Sequence, residues 1–436
     1  MKRVASLVVA VAVLGVAGYA YLNRVDPNDG TAPLIAGAPA DAPLLVRGEY
    51  LAKAADCVAC HTAKGGGTPF AGGLAFSLPF GKLYAPNITP DVKTGIGAWT
   101  DDQFVKAIHD GVRADGQRLY PAFPYTSYTQ LSRADILAIK AYLFSLTPVE
   151  QKNKEPELMF PFNQRWAMGF WNAVFFKNER FQPNPEKSTQ WNTGAYMAVA
   201  LAHCAECHTP RNIGFALNKS NNMAGEVIQG WKAPNITSDP KHGLGSWSNQ
   251  EIADYLMKGH AQGRGSAAGP MAEAVENSLQ YMNRQDIDAL ITYLRDVPAR
   301  EGKSPTTIDP RPPLATTATA FAPASSTVPE HELGMRLFSS ACASCHQWNG
   351  VGQQTAHASL LGARSVNDPE GTNVMQIVLE GVNVHVQGKA VYMPAFGHAY
   401  SDTEIAAVSN FVIQQYGNKK GLVTPKDVAE QRKKSE

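Results

Sequence analysis

The six cysteines of this 436-residue chain fall into three pairs of identical spacing, and a histidine follows each pair at once. The segments are Cys57-Val58-Ala59-Cys60-His61, Cys204-Ala205-Glu206-Cys207-His208 and Cys342-Ala343-Ser344-Cys345-His346. Two thiols three residues apart stand on neighbouring turns of a helical segment, where they can add to the two vinyl groups of one porphyrin. The adjacent imidazole then faces the iron as its proximal ligand. A lone C-x-x-C also suits a redox dithiol or half a zinc site, and an exported chain suits disulfides. Three copies, each with its histidine and with no cysteine left over, favour three haem c groups.

The sixth ligand of each iron should be a Met or His well downstream of the motif. For the third site it is Met393, in Tyr392-Met393-Pro394-Ala395-Phe396-Gly397, read as a loop before the closing helix; Met375 reads as helix core. For the second it is Met271, in Gly269-Pro270-Met271, at the same loop position; Met257 and Met282 read as packing residues and His260 as a weaker rival. The first site departs from the pattern. Met271 maps onto Phe123, which cannot bind iron, and no Met lies between His61 and Val149. Three readings stay open: Met159 or Met168 folds back as ligand, His109 turns in from what reads as the surface, or the position is open.

The elements that position these residues repeat. Ala85-Pro86-Asn87-Ile88-Thr89 returns as Ala233-Pro234-Asn235-Ile236-Thr237, and Gly95-Ile96-Gly97-Ala98-Trp99 as Gly243-Leu244-Gly245-Ser246-Trp247. Each unit closes on a helical stripe: Ile136, Ile139 and Leu143; Ile287, Leu290, Ile291 and Leu294; Ile405, Val408 and Val412. Cap signals precede each stripe, in Ser132…Asp135, Asn283…Asp286 and Ser401…Glu404. The expected fold is mostly α: three tandem class I-type cytochrome c domains, at 40–150, 188–298 and 330–417, after an N-terminal membrane helix at 1–23.

Hydrophobic residues make up 44% of the chain, enough for real cores, and a net charge of +1 gives no electrostatic case for nucleic acid. Lys2 and Arg3 precede an uncharged apolar run over residues 4–22, which reads as an uncleaved anchor leaving the remainder exported. The connector at 151–187 is dense in aromatics and reads as a core segment binding two domains together; the alternative is a surface for a partner, the membrane or a quinone. The linker at 299–329 is rich in Pro, Ala and Thr and long enough for the third domain to dock separately. The charged tail at 418–436 reads as a solvated end. No flavin, quinone-cofactor or nicotinamide fingerprint is found.

Taken together, the three haem motifs resemble the triple-haem cytochrome c subunit of the membrane-bound aldehyde and alcohol dehydrogenase complexes of acetic acid bacteria and their relatives. So do Asp115-Gly116…Leu119-Tyr120-Pro121-Ala122 with Pro124-Tyr125, Pro161-Phe162-Asn163-Gln164-Arg165, Gly269-Pro270-Met271-Ala272-Glu273-Ala274-Val275 and Met393-Pro394-Ala395-Phe396. The resemblance implies an electron-transfer subunit with no substrate chemistry of its own. It would lie on the periplasmic face of the inner membrane and pass electrons from a large catalytic subunit, with a small iron–sulfur subunit, to ubiquinone in the respiratory chain. Family members serve quinoprotein alcohol dehydrogenases, flavoprotein sugar or sugar-acid dehydrogenases, and molybdopterin enzymes that oxidise aldehydes or N-heterocycles. The alcohol and sugar branches usually carry Pro-Ala-Met-Pro-Tyr in the first domain, so Phe123 is more similar to the molybdopterin branch and implies an aldehyde dehydrogenase. A haem enzyme using an open first iron is the reading from another class.

Overall fold

The computed structural model describes Val13 and residues 29–301, 329–417 and 419–435. The segment expected to be an N-terminal anchor, Val13 excepted, and nearly all of the Pro-rich linker lie outside these residues. Among the described residues no helix is long and apolar enough to cross a membrane. The chain forms two compact units. One is built from Met1–Ala52, Cys60–Asn192 and Tyr196–His203, the other from Lys53–Ala59, Thr193–Ala195 and Cys204–Glu436.

Helices predominate, and one order of elements occurs three times. An entry helix comes first: Leu44–Ala54, Thr189–Tyr196 and Pro329–Leu337. The second and third run on through a π turn, Met197–Leu201 and Phe338–Cys342. A single helical turn carries each haem motif, at Cys57–Cys60, Ala205–His208 and Ala343–His346. Middle helices follow at Asp101–Asp110, Asn249–Lys258 and Thr372–Glu380, and closing helices at Arg133–Ser145, Arg284–Asp296 and Asp402–Gly417.

The closing helices start where the cap signals place them. Ser132 Oγ accepts from Asp135 N (3.1 Å), Asn283 Oδ1 from Asp286 N (2.8 Å) and Ser401 Oγ from Glu404 N (3.3 Å). Their apolar stripes are fully buried, with Ile136, Ile287 and Ile405 all at 0% exposure. Each such side chain contributes roughly 1.5–3 kcal/mol of burial. Entry and closing helices cross at a glycine. A Cβ on Gly48 would overlap Ala138 O, one on Gly194 would overlap Ala289 O, and one on Gly334 would overlap Ala407 O. The backbones can touch only because these side chains are absent.

In the second unit the last two repeats share a core. Ala267, Ala272, Val275 and Leu279 from one pack on Val384 and Val386 from the other. Lys232 Nζ lies 2.8 Å from Asp368 and 3.0 Å from Glu370, and Asn373 exchanges two hydrogen bonds with the Lys232 backbone. The third repeat therefore docks on the second and is not held by the linker alone.

Two readings of the chain outside the repeats are corrected. The 151–187 connector is not an aromatic core. Phe160 is 79% exposed, Trp166 69%, Phe170 70% and Val174 72%. The helix Met168–Phe175 instead buries Asn172, whose Oδ1 accepts from the Tyr125 hydroxyl at 2.6 Å, and turns its aromatics outward. The tail is not a solvated end either. It forms the helix Pro425–Ser435, capped by Thr424, with Val428 wholly buried and Arg432 bonded to the carbonyls of Gly397 and Tyr400 and to Asp402. Val428, Gln431 and Arg432 fall on one helical face, which composition alone conceals.

Candidate haem sites

The three imidazoles are held in one way. His61 Nδ1 lies 2.8 Å from Pro86 O, His208 Nδ1 2.6 Å from Pro234 O, and His346 Nδ1 2.6 Å from Ala358 O. A carbonyl oxygen only accepts, so Nδ1 carries the proton and Nε2 keeps its lone pair. Burial lowers the pKa of all three rings, which favours the neutral form a metal needs.

The repeated Ala-Pro-Asn-Ile-Thr segment explains how that carbonyl is presented. Asn87 Oδ1 accepts from Thr89 N (2.9 Å) and Thr89 Oγ1 (2.7 Å). Asn235 Oδ1 accepts likewise from Thr237 N (2.8 Å) and Thr237 Oγ1 (2.7 Å). Each buried Asn–Thr clamp fixes a turn whose proline carbonyl meets the ring. The third site uses Ala358, on a short 3₁₀ turn, with no such clamp.

A glycine locks each motif from the other side, and sequence reasoning missed all three. Gly72 N donates to His61 O (2.8 Å), Gly225 N to His208 O (2.8 Å) and Gly352 N to His346 O (3.1 Å). Their φ values are +79°, +92° and +85°, a region that favours glycine. A Cβ there would press on Pro86, Asn235 or Ala358 backbone at 2.5–2.9 Å, the same segments that hold the imidazoles. The signal was available as a Gly-Gly or Gly-x-x turn after each motif, but many glycines in the chain look the same.

All six cysteines are unbridged. Burial pushes the Cys204 thiol up to about 12 and those of Cys207 and Cys342 to about 11, the opposite of the lowered pKa of a redox dithiol. Among the described residues no three His, Cys, Asp or Glu side chains converge on a metal position. Each site thus offers two unbridged thiols at or beside one short helical turn and an imidazole whose Nε2 keeps its lone pair. That donor set fits a covalently bound haem.

The distal residues sit differently from their sequence reading. Met271 lies in the first turn of the helix Gly269–Asn277, not in a loop, because Pro270 pre-sets the helical φ; it packs on the core shared with Val384 and Val386. Met393 ends the strand Lys389–Met393, paired with Val382, and not a loop. The hairpin turns on Gln387 (φ +51°) and Gly388 (φ +72°), a two-residue turn of the kind that favours antiparallel pairing. Met375 lies in a buried apolar cluster, Met282 is buried, and Met257 lies in the middle helix Asn249–Lys258. His260 is buried in the strand His260–Ala261.

At the first site Phe123 is half-buried, with its ring 5.5 Å from Tyr128. His109 is buried, not on the surface: Nε2 donates to Leu131 O at 2.9 Å, which commits that nitrogen to packing. Met168 opens the helix Met168–Phe175, and Met159 is 59% exposed.

Comparison with known proteins agrees with this geometry. The cytochrome c family profile matches residues 45–147 and 195–298, and the profile of cytochrome c oxidase, cbb3-type, subunit III matches residues 329–412. The fructose dehydrogenase cytochrome subunit of Gluconobacter japonicus is 39% identical over 425 residues, 94% of this chain and 86% of that one. The gluconate 2-dehydrogenase cytochrome c subunit of Pantoea cypripedii is 37% identical over 439 residues, 97% of this chain and 94% of that one. A nicotinate dehydrogenase component of Pseudomonas putida is 38% identical over 378 residues; these are 86% of this chain but only 30% of that longer protein. With its repeated cytochrome c architecture and no catalytic chemistry of its own, the chain belongs to the family of electron-transferring cytochrome c subunits of dehydrogenase complexes, of the acetic-acid-bacterial type.

Proposed function

We propose that this chain carries three covalent c-type haems and transfers electrons from a periplasmic dehydrogenase to ubiquinone in the inner membrane. The observation that supports it most is the threefold recurrence of an imidazole latched through Nδ1 beside two unbridged thiols. In this reading Cys57 and Cys60, Cys204 and Cys207, and Cys342 and Cys345 form the thioethers. His61, His208 and His346 bind iron through Nε2, with Met271 and Met393 as distal ligands of the second and third irons. When bound, each haem supplies a one-electron iron couple. The chain's residues orient it, exclude water and hold the proximal rings neutral.

The partner we propose is a molybdopterin and iron–sulfur aldehyde dehydrogenase, on the strength of Phe123. The relatives named for fructose and gluconate dehydrogenases, matched over nearly their whole length, favour a second reading: a flavoprotein sugar or sugar-acid dehydrogenase. A quinoprotein alcohol dehydrogenase is the further alternative. The outward aromatics of residues 159–175 suit the headgroup layer of a bilayer, where amphipathic rings concentrate. With the anchor at 4–22 they would keep the chain at the periplasmic membrane surface.

The test is direct. The tagged chain is purified gently with its partners and haem absorbance is followed anaerobically after separate additions of acetaldehyde, ethanol, fructose and gluconate. Reduction by acetaldehyde alone is expected. Reduction by fructose or gluconate alone would replace the aldehyde partner with the second reading, and reduction by ethanol with the third. With Phe123 in place of a methionine, the first iron is either held by a recruited Met159 or Met168 or left open; an open iron would bind carbon monoxide in the reduced protein, and a fully inert low-spin spectrum would exclude it.

A further inference from the structure

Where the third repeat meets the second, Arg364 leaves its own domain. Its Nη1 donates to Asn235 O at 2.9 Å and its Nη2 to Gly243 O, both in the second repeat. Its Nε is buried with no acceptor, and among the described residues no carboxylate pairs with it. Arg364 and Arg264 share Trp247, with guanidinium carbons 5.4 and 5.1 Å from the ring centroid. These three residues and Lys241 line one small cleft with no acid in its wall. Glu251 lies 3.2 Å from Arg264, and among the described residues no side-chain carboxylate forms an ion pair with Arg364.

Asn235 is the residue after Pro234, whose carbonyl accepts the hydrogen bond from His208 Nδ1. Arg364 therefore grips the turn behind the second site's imidazole, one peptide from the latch. Burial pulls Arg364 itself down to about 10, which leaves it a cation at neutral pH.

We infer that Arg364 is a positioning residue through which the third repeat sets the reduction potential of the second haem. The inference rests on His208 being a proximal ligand. Oxidised haem iron carries one positive charge more than reduced iron. A fixed cation in a poorly hydrated seam therefore disfavours the oxidised form and raises the potential. Docking of the third repeat and tuning of the second haem become one event.

The test is a redox titration of the full chain in its complex, read by absorbance, in wild type, Arg364→Gln and Arg364→Lys. Cys204→Ala leaves the second haem one unsaturated vinyl group and a red-shifted band, which identifies its wave. In Arg364→Gln the oxidised-to-reduced ratio of that haem at a fixed potential should rise three- to tenfold, tenfold being 59 mV for one electron. The other two waves should stay within twofold, as should all three in Arg364→Lys. Should Arg364→Gln not accumulate, Arg364→Met keeps the apolar stem and carries the same expectation. A change below twofold at the second haem, or equal movement of all three waves, would overturn the inference. A wild-type chain with no second haem would instead remove the reading on which it rests.

Discussion

The imidazole latches explain why the sites combine a rigid histidine with so ordinary a motif. A ring whose Nδ1 is tied to a carbonyl cannot change tautomer or rotate, so little freedom would be left to lose if Nε2 bound iron. Gly225→Ala tests this at one atom. The new Cβ would meet Asn235 N at 2.9 Å from a backbone with φ +92°. It should displace the Pro234 carbonyl and cost roughly 1–3 kcal/mol of stability, measured by denaturant titration, with weaker haem retention at the second site. The motif stands out in sequence because covalent haem attachment would fix residue type and spacing, and the latched imidazole beside each cysteine pair is what the structure adds. The latch was half legible: the repeated Ala-Pro-Asn-Ile-Thr was visible, but a backbone carbonyl leaves no mark in sequence, and Ala358 reaches the same position without the repeat. His260 gives a pH test. Burial and the neighbouring His357 pull its pKa to about 4, against about 6.5 for a free histidine, with Asp254 opposing weakly. The unfolded chain takes the proton first. Stability is therefore complete above about pH 6.5 and falls from there towards pH 4, by up to about 3 kcal/mol. His260→Gln should flatten that part of the stability–pH curve; an unchanged slope would mean the ring is not held neutral.

Among elements, the crossing of entry and closing helices is the joint on which each repeat depends. Gly194→Val places a branched side chain where Ala289 O now touches the backbone. The helices must separate, and a loss of about 3 kcal/mol or more is expected, read as a lowered thermal midpoint of the holoprotein. The closing helices were readable from their 3.6-residue stripes and caps. The entry helices were not, since their key residue is a glycine whose value lies in what it lacks. The 382–393 hairpin was missed although Val382, Val384 and Val386 alternate along one strand, because the methionine was sought in a loop. Alternation over five residues is a weak signal beside a haem motif, and burial on the neighbouring repeat decides it. The tail shows the same physics: three residues on one face dock a helix whose composition is charged.

For the whole molecule, repetition of one small helical unit would give a long-range electron carrier, with each repeat wrapped around its own haem in the proposed reading. From the offsets and motifs the sequence leads to an expectation of three units, and the order of entry, motif, middle and closing helices recurs three times along the chain. It did not show that the last two share a core, since that seam joins small residues of one repeat to alternating valines of the other. Nor did it show that Phe160, Trp166 and Phe170 face outward, because a dense aromatic run reads as core unless the buried Asn172 is known. The central claim is three haem sites in one chain, and the intact mass of the purified, denatured protein, taken with and without thiol alkylation, tests it most directly. The account predicts the polypeptide plus three covalently bound haems, with no alkylatable cysteine. Fewer than three haems, with the cysteines of a missing site free to react, would contradict it.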